Sequence, residues 1–170
     1  MPQIIRPSII DVEASGFSSH SYPIEIGLVL DSGERYCSLI KPASNWIHWD
    51  DKAENVHNIT KEILEKHGKP IEIVAEKVND LLKNRTIYTD GWVVDKPWVD
   101  QLFYKAGISK LFSISSLEMI LTESQMEIWH DIKDQVIDEY KLKRHRASID
   151  AFIIQETYFR TKYNNFYKGD

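Results

Sequence analysis

Short apolar runs alternate with amphipathic segments along the chain. Five runs rich in β-branched residues predict strands, at residues 4–10, 23–30, 35–40, 86–89 and 111–114. The turn Asp31-Ser-Gly-Glu34 joins the second and third of these and predicts a hairpin. Periodic segments predict helices at 60–68, 70–83, 96–106, 116–121, 127–140 and 148–163. A hairpin followed by alternating helices and strands favours an α/β fold with a mixed sheet.

Composition adds limits to this picture. The 170 residues carry no repeat or linker, which predicts a single domain over 1–170. No apolar stretch approaches the roughly 20 residues of a membrane span, and the first residues lack signal-peptide features. Cys37 is the single cysteine, which excludes an internal disulfide and a thiolate zinc site. We therefore expect a cytoplasmic protein that does not enter membranes.

The pair Asp11 and Glu13 follows the first apolar run directly. Residues i and i+2 of a strand lie on one face, so both carboxylates point into the same small volume. Like charges this close raise each other's pKa unless a cation lies between them. Mg²⁺ and Mn²⁺ prefer such oxygen ligands. Taken alone, the pair is also consistent with a solvated strand end.

Three further residues stand where a site at the sheet edge would need them. Asp95 follows the fourth predicted strand at the start of a helix. His145 and Asp150 are separated by a rotation of about 500° on a helix, so they would not share a face if both were helical. The sequence therefore predicts His145 in a loop and Asp150 in the first helical turn. Helix N-terminal stabilisation is the alternative role for Asp95 and Asp150.

The order Asp11-x-Glu13, Asp95, His145-x₄-Asp150 resembles the DEDDh group of 3′–5′ exonucleases. Ile24-Glu-Ile-Gly27 and Val56-His-Asn-Ile-Thr60 are similar to family segments, and so is the opening His145-Arg-Ala. The second motif departs from the family pattern His-Asn-Ala-x-Phe-Asp. Asp90-Gly-Trp-Val-Val-Asp95 stands there instead, which leaves Asp90 as the alternative to Asp95.

The resemblance implies an RNase H-like α/β fold, with a five-stranded mixed sheet whose second strand is antiparallel. It implies that Asp11, Glu13, Asp95 and Asp150 hold two Mg²⁺ or Mn²⁺ ions. His145 would act as the general base. The implied reaction releases nucleoside 5′-monophosphates from the 3′ end of single-stranded nucleic acid.

Substrate contacts form the last set of expectations. Trp92 is expected to stack on a base, whereas Trp98 is expected in the core. His57 is expected near the terminal nucleotide or in a turn-stabilising role, and Arg144 and Arg146 are expected at phosphates or on a solvated face. Single-stranded DNA is the first expected substrate. The alternatives are an exoribonuclease and a non-catalytic nucleic-acid-binding module, and a homodimer is a further expectation.

Overall fold

A computed structural model describes residues 5–163 and arranges them as one sheet with helices on both faces. The strands are β1 (Ile9–Ala14), β2 (Pro23–Val29), β3 (Arg35–Leu39), β4 (Thr86–Thr89) and β5 (Ser113–Ser116). The helices are α1 (Asp51–His57), α2 (Lys61–His67), α3 (Ile71–Leu82), α4 (Trp92–Ala106), α5 (Glu123–Tyr140) and α6 (Ala147–Lys162), and a 3₁₀ turn spans Leu117–Ile120.

The strand order is β3-β2-β1-β4-β5, so β1 occupies the centre of the sheet. β2 pairs antiparallel with both β1 and β3, whereas β4 pairs parallel with β1 and β5. The predicted five-stranded mixed sheet with an antiparallel second strand is confirmed.

Side chains alternate across the central strand, as its pleat requires. Ile10 and Val12 belong to the core cluster that includes buried residues of α3 and α4. Ile9 belongs to the cluster built with α5 and α6 on the other face. Asp11 and Glu13 therefore share the face of the sheet that α6 covers.

The first strand begins later than the sequence predicts. It starts at Ile9 and continues through Asp11 and Glu13, so the two acids are strand residues that pair with β2. Pro7 precedes the strand and has no N–H for a ladder hydrogen bond, which is one reason that pairing does not start earlier. Ile4, the first residue of the predicted strand, lies outside the described residues.

Four further boundaries differ from the prediction. The segment expected as a loop after Trp49 contains α1, capped by the Asp50 side chain, which accepts the Lys52 N–H. α4 starts at Trp92, and Pro97 lies inside it, where it removes one backbone donor without ending the helix. α5 starts at Glu123, and β5 lies two residues later than expected. No helix within residues 5–163 is long and apolar enough to cross a bilayer.

Candidate active site

Three carboxylates converge at the centre of the sheet. Asp11 and Glu13 come from β1, and Asp150 comes from the first turn of α6. One oxygen from each lies within 4.8 Å of the others. These three are among the four acids that the sequence predicts as metal ligands, and hard oxygen donors at this spacing suit a divalent cation.

A glycine in β2 allows α6 to approach this closely. Gly27 is the register partner of Asp11 in the β1–β2 ladder. A Cβ atom at this position would lie 2.2 Å from the carbonyl carbon of Ala147 and 2.2 Å from the backbone nitrogen of Ser148. Only glycine leaves room for the start of α6 against β2, and this close approach brings Asp150 over Asp11.

The two acids of the second predicted motif, Asp95 and Asp90, lie outside this group of three carboxylates and in different surroundings. Asp95 is buried in α4, where the Thr89 hydroxyl donates a hydrogen bond to its Oδ2 and the backbone of Val12 also bonds to it. Asp90 lines the cavity that holds the other acids, and its Oδ2 lies 3.1 Å from Lys133 Nζ. Asp95 is thus held by neutral donors beside β1, whereas Asp90 already has a cationic partner.

Burial and mutual repulsion set the electrostatics of the cluster. Burial, followed by the charge of Asp95 and then that of Glu13, raises the pKa of Asp11 well above its usual value. Burial and then the charge of Asp150 raise the pKa of Glu13 to about 8. Burial likewise raises the pKa of Asp95 to about 7. A bound cation would favour the ionised form of every one of these groups.

His145 stands at the edge of the acid cluster, in the loop that the sequence predicts. It has a left-handed backbone, with φ of 67°, and its N–H donates to Asp150 Oδ2 at 2.7 Å. Its side chain is half-buried and lines the acid cavity. Arg144 lines the same cavity, with its Nε 3.7 Å from Asp150 Oδ1. His145 therefore lies in the predicted loop, and Arg144 lies beside Asp150 with its side chain half exposed.

Lys133 is a cavity residue that sequence reasoning missed. It lies in the middle of α5, and its mostly buried side chain lines the acid cavity together with Asp90. A single lysine on a long charged helix carries no sequence signal that separates it from a solvated residue. Only the packing of α5 against α6 brings its ammonium group to the site.

A larger, mostly apolar cleft of about 550 Å³ opens beside the acid cavity. Val12, Glu13 and His145 line both, so the cleft leads directly to the carboxylates. Its other lining residues come from the loop after β1, from α1 and from the start of α4, and they include Phe17, Ser18, Val56, His57, Val93, Val94 and Trp98. An apolar cleft of this size that ends on an acidic centre can accept a base and a sugar and present an adjoining phosphate to the acids.

Trp98 packs against the core as expected, but of the two tryptophans of α4 it is also the one that lines the cleft. Trp98 is half-buried, packs against the core and lines the cleft. Trp92 is 40 % exposed, but its indole N–H donates to the carbonyl of Ile114 at 3.2 Å, and it is not among the residues that line the cleft. The indole that faces the cleft is therefore that of Trp98, while stacking by Trp92 stays a prediction.

His57 and Arg146 are held by neighbouring residues. His57 is buried at the end of α1, and its Nδ1 accepts the N–H of Ile59 at 3.0 Å, as the turn-stabilising role predicts. It also lines the cleft, as the nucleotide-binding role requires. Asn58 follows with φ of 57°, which gives the left-handed turn. Arg146 is turned towards β2, where it binds the buried Glu25 at 2.6 Å.

Comparison with solved structures identifies the architecture. Exonuclease I from E. coli in complex with a dA16 oligonucleotide is 15 % identical, with a TM-score of 0.65 over 94 % of this chain. The zinc-bound complex of E. coli exonuclease I with single-stranded DNA is 14 % identical, with a TM-score of 0.66 over 95 % of this chain. The chain shares the fold of the matched part of exonuclease I. Exonuclease I from Methylocaldum szegediense is 11 % identical, with a TM-score of 0.70 over 95 % of this chain.

The likeness covers only part of those proteins. The chain spans 42 %, 41 % and 41 % of the three exonuclease I chains, respectively. No family model matches the sequence, and no curated protein matches it significantly. At this level of identity the comparison establishes the fold, and the predicted α/β fold with a five-stranded mixed sheet flanked by helices is confirmed.

Proposed function

We propose that the protein is a metal-dependent 3′–5′ exonuclease that releases nucleoside 5′-monophosphates from single-stranded DNA. One observation carries the proposal: the carboxylates of Asp11, Glu13 and Asp150 lie within 4.8 Å of one another, next to His145 and at the end of an apolar cleft. The fold shared with exonuclease I, whose structures include complexes with single-stranded oligonucleotides, supports the same function.

We expect the acid cluster to hold a pair of divalent cations. Asp11, Glu13 and Asp150 would supply oxygen ligands, and Asp95, which bonds to the backbone of Val12, would supply a fourth carboxylate. Mg²⁺ or Mn²⁺ is our expectation for these hard donors. When bound, the ions supply an acidified water and stabilise negative charge on the phosphate and on the departing 3′ oxygen.

The protein groups around the acids have separable tasks. His145 accepts the proton of the attacking water, as its place between the cleft and the acid cavity allows. The apolar cleft binds the terminal nucleoside through Phe17, Val94 and Trp98, contacts that do not depend on base identity. Arg144 lies on the open side of the cavity and offsets charge on the scissile phosphate.

The test is digestion of 5′-labelled single-stranded DNA and RNA of the same sequence in Mg²⁺, Mn²⁺ or EDTA. We expect a metal-dependent ladder that shortens from the 3′ end, with DNA degraded faster. Faster degradation of RNA would identify the exoribonuclease alternative. Binding of the oligonucleotides without cleavage in either metal would identify a non-catalytic module and refute the proposed activity.

Substitution of one acid distinguishes activity of this site from activity of a contaminating nuclease. Asp11→Ala is expected to abolish the ladder and to leave a folded protein, because it removes one charge from a mutually repelling cluster. Wild-type rates in this variant would place the metal site elsewhere. Gel filtration and cell fractionation test the expected homodimer and cytoplasmic location, which stay predictions.

A further inference from the structure

An ion pair between a buried glutamate and a partly exposed arginine lies next to the loop that carries His145. Glu25 in β2 is fully buried, with 0 % of its side chain exposed. Arg146 donates to it from Nε at 3.1 Å to each oxygen and from its Nη2 at 2.6 Å to Oε1. The backbone N–H of Ala147 donates to Oε2 at 2.9 Å, and the Cys37 thiol donates to Oε1 at 3.4 Å.

These contacts attach one short segment to the sheet at consecutive residues. Arg146 is the N-cap of α6 and Ala147 is its first residue, so Glu25 holds both the side chain before the helix and the first backbone donor inside it. His145 comes immediately before them in the strained left-handed conformation. Glu25 is also the register partner of Glu13, so the anchor lies beside the acid cluster.

We propose that Glu25 and Arg146 are positioning residues that hold His145 in place for catalysis, and that Arg146 does not act as a phosphate ligand. This inference rests on the proposed exonuclease function. A fork of guanidinium donors on a fully buried carboxylate fixes direction as well as distance. The backbone of His145 is held by two contacts. Its own N–H donates to Asp150, and the next residue, Arg146, is anchored to Glu25.

A positioning role and a phosphate-binding role for Arg146 predict different effects of the substitution Arg146→Lys. If Arg146 bound a phosphate of the substrate, Arg146→Lys would weaken that contact, raise KM and leave kcat unchanged. The anchor needs the planar fork, which Arg146→Lys loses. Glu25→Gln keeps the volume of the side chain and removes the charge that receives the fork.

The experiment measures kcat and KM on a single-stranded oligonucleotide, together with limited trypsin digestion of residues 141–146. Glu25→Gln and Arg146→Lys are each expected to lower kcat about 10- to 100-fold, the scale of a small misplacement of a reacting group. KM is expected to stay within about twofold. Trypsin cleavage between Lys141 and Arg146 is expected to accelerate, because the loop opens more often without its anchor.

Glu139→Gln is the matched control. It breaks an equally close arginine–carboxylate pair, with Arg160 at 2.5 Å, on the outer side of α5 and α6. It is expected to change neither kcat nor the digestion of residues 141–146. Arg146→Lys tests the proposal alone if Glu25→Gln does not fold.

Two results would overturn the inference. Unchanged kcat and unchanged digestion in both variants would show that the ion pair positions nothing. A rise in KM at constant kcat in Arg146→Lys would assign Arg146 to substrate binding. If the wild-type protein degrades no nucleic acid, the proposed function fails, while the trypsin comparison still shows whether Glu25 and Arg146 hold the loop.

Discussion

Without metal, the free energy of unfolding should decrease as pH rises from 6.5 to 8. Glu13 has a folded-state pKa of about 8, against an ordinary value of 4.5. Between these values the folded protein retains a proton that the unfolded chain has released, so rising pH favours unfolding. This sign is opposite to that of a salt-bridged carboxylate. It follows from burial and from the charge of Asp150, which both disfavour ionised Glu13.

The size of the decrease in unfolding free energy follows from the width of the pH interval. From pH 6.5 to 8 is about 1.5 pH units, and at about 1.36 kcal/mol per unit this gives roughly 2 kcal/mol for a fully buried group. Glu13 is half-buried, and solvent screening reduces the expected loss to about 1 kcal/mol. The raised pKa of Asp11 acts in the same direction. Burial lowers the pKa of His57, which opposes the trend mainly below pH 6.5 and fades above it as the unfolded histidine loses its proton.

Urea denaturation at pH 6.5 and 8, with EDTA or with Mg²⁺, measures this change. Mg²⁺ should remove most of it, because the ion binds the ionised carboxylates of the folded state. Glu13→Gln should flatten the dependence in EDTA, whereas Glu139→Gln should retain it. Equal or greater stability at pH 8 than at pH 6.5 in EDTA would refute the electrostatic account of the site.

Two further predictions concern the neighbours of the acid cluster. Asp95→Asn should abolish nuclease activity, whereas Asp90→Asn should retain a measurable rate, since Asp90 already binds Lys133; parallel rate measurements test this, and the reverse order would make Asp90 the ligand. Gly27→Ala should lower the free energy of unfolding by about 3 kcal/mol or more, because its Cβ would lie 2.2 Å from the backbone of Ala147. A loss below about 0.5 kcal/mol in urea denaturation would show that α6 can move away.

The sheet was predictable because its strands have local signals. Residues 86–89 form β4 as predicted, and the second and third strands form the expected hairpin around Gly33, whose φ is 85°. α5 begins four residues earlier than predicted because Thr122 and Gln125 form a capping box, a pattern that the sequence contains. α1 is harder to predict, because seven residues with only Ala53 and His57 buried have little periodicity.

The candidate site likewise has residues whose positions the sequence predicts and residues whose positions it does not. Asp11 and Glu13 are fixed by strand alternation, and the loop position of His145 follows from its spacing to Asp150. The position of Lys133 depends on how α5 packs. The position of Arg146 depends on an ion pair with Glu25, which lies 121 positions away in the sequence. No local pattern encodes such contacts, so a basic run near His145 could not be divided into cavity and anchor residues from the sequence.

The acid cluster itself favours an ion-binding enzyme over a binding module on the same fold. Asp11, Glu13 and Asp95 all have raised pKa values because burial and neighbouring carboxylates disfavour their charge. A surface that only binds nucleic acid gains nothing from such repulsion, since further negative charge opposes the phosphates. Among the nearby cationic groups, Lys133 pairs with Asp90 and Arg146 with Glu25, whereas the half-exposed Arg144 lies 3.7 Å from Asp150 and leaves the pKa values of Asp11 and Glu13 raised. Divalent cations would relieve the repulsion and attract the phosphate at once, which is the arrangement that the proposed hydrolysis requires.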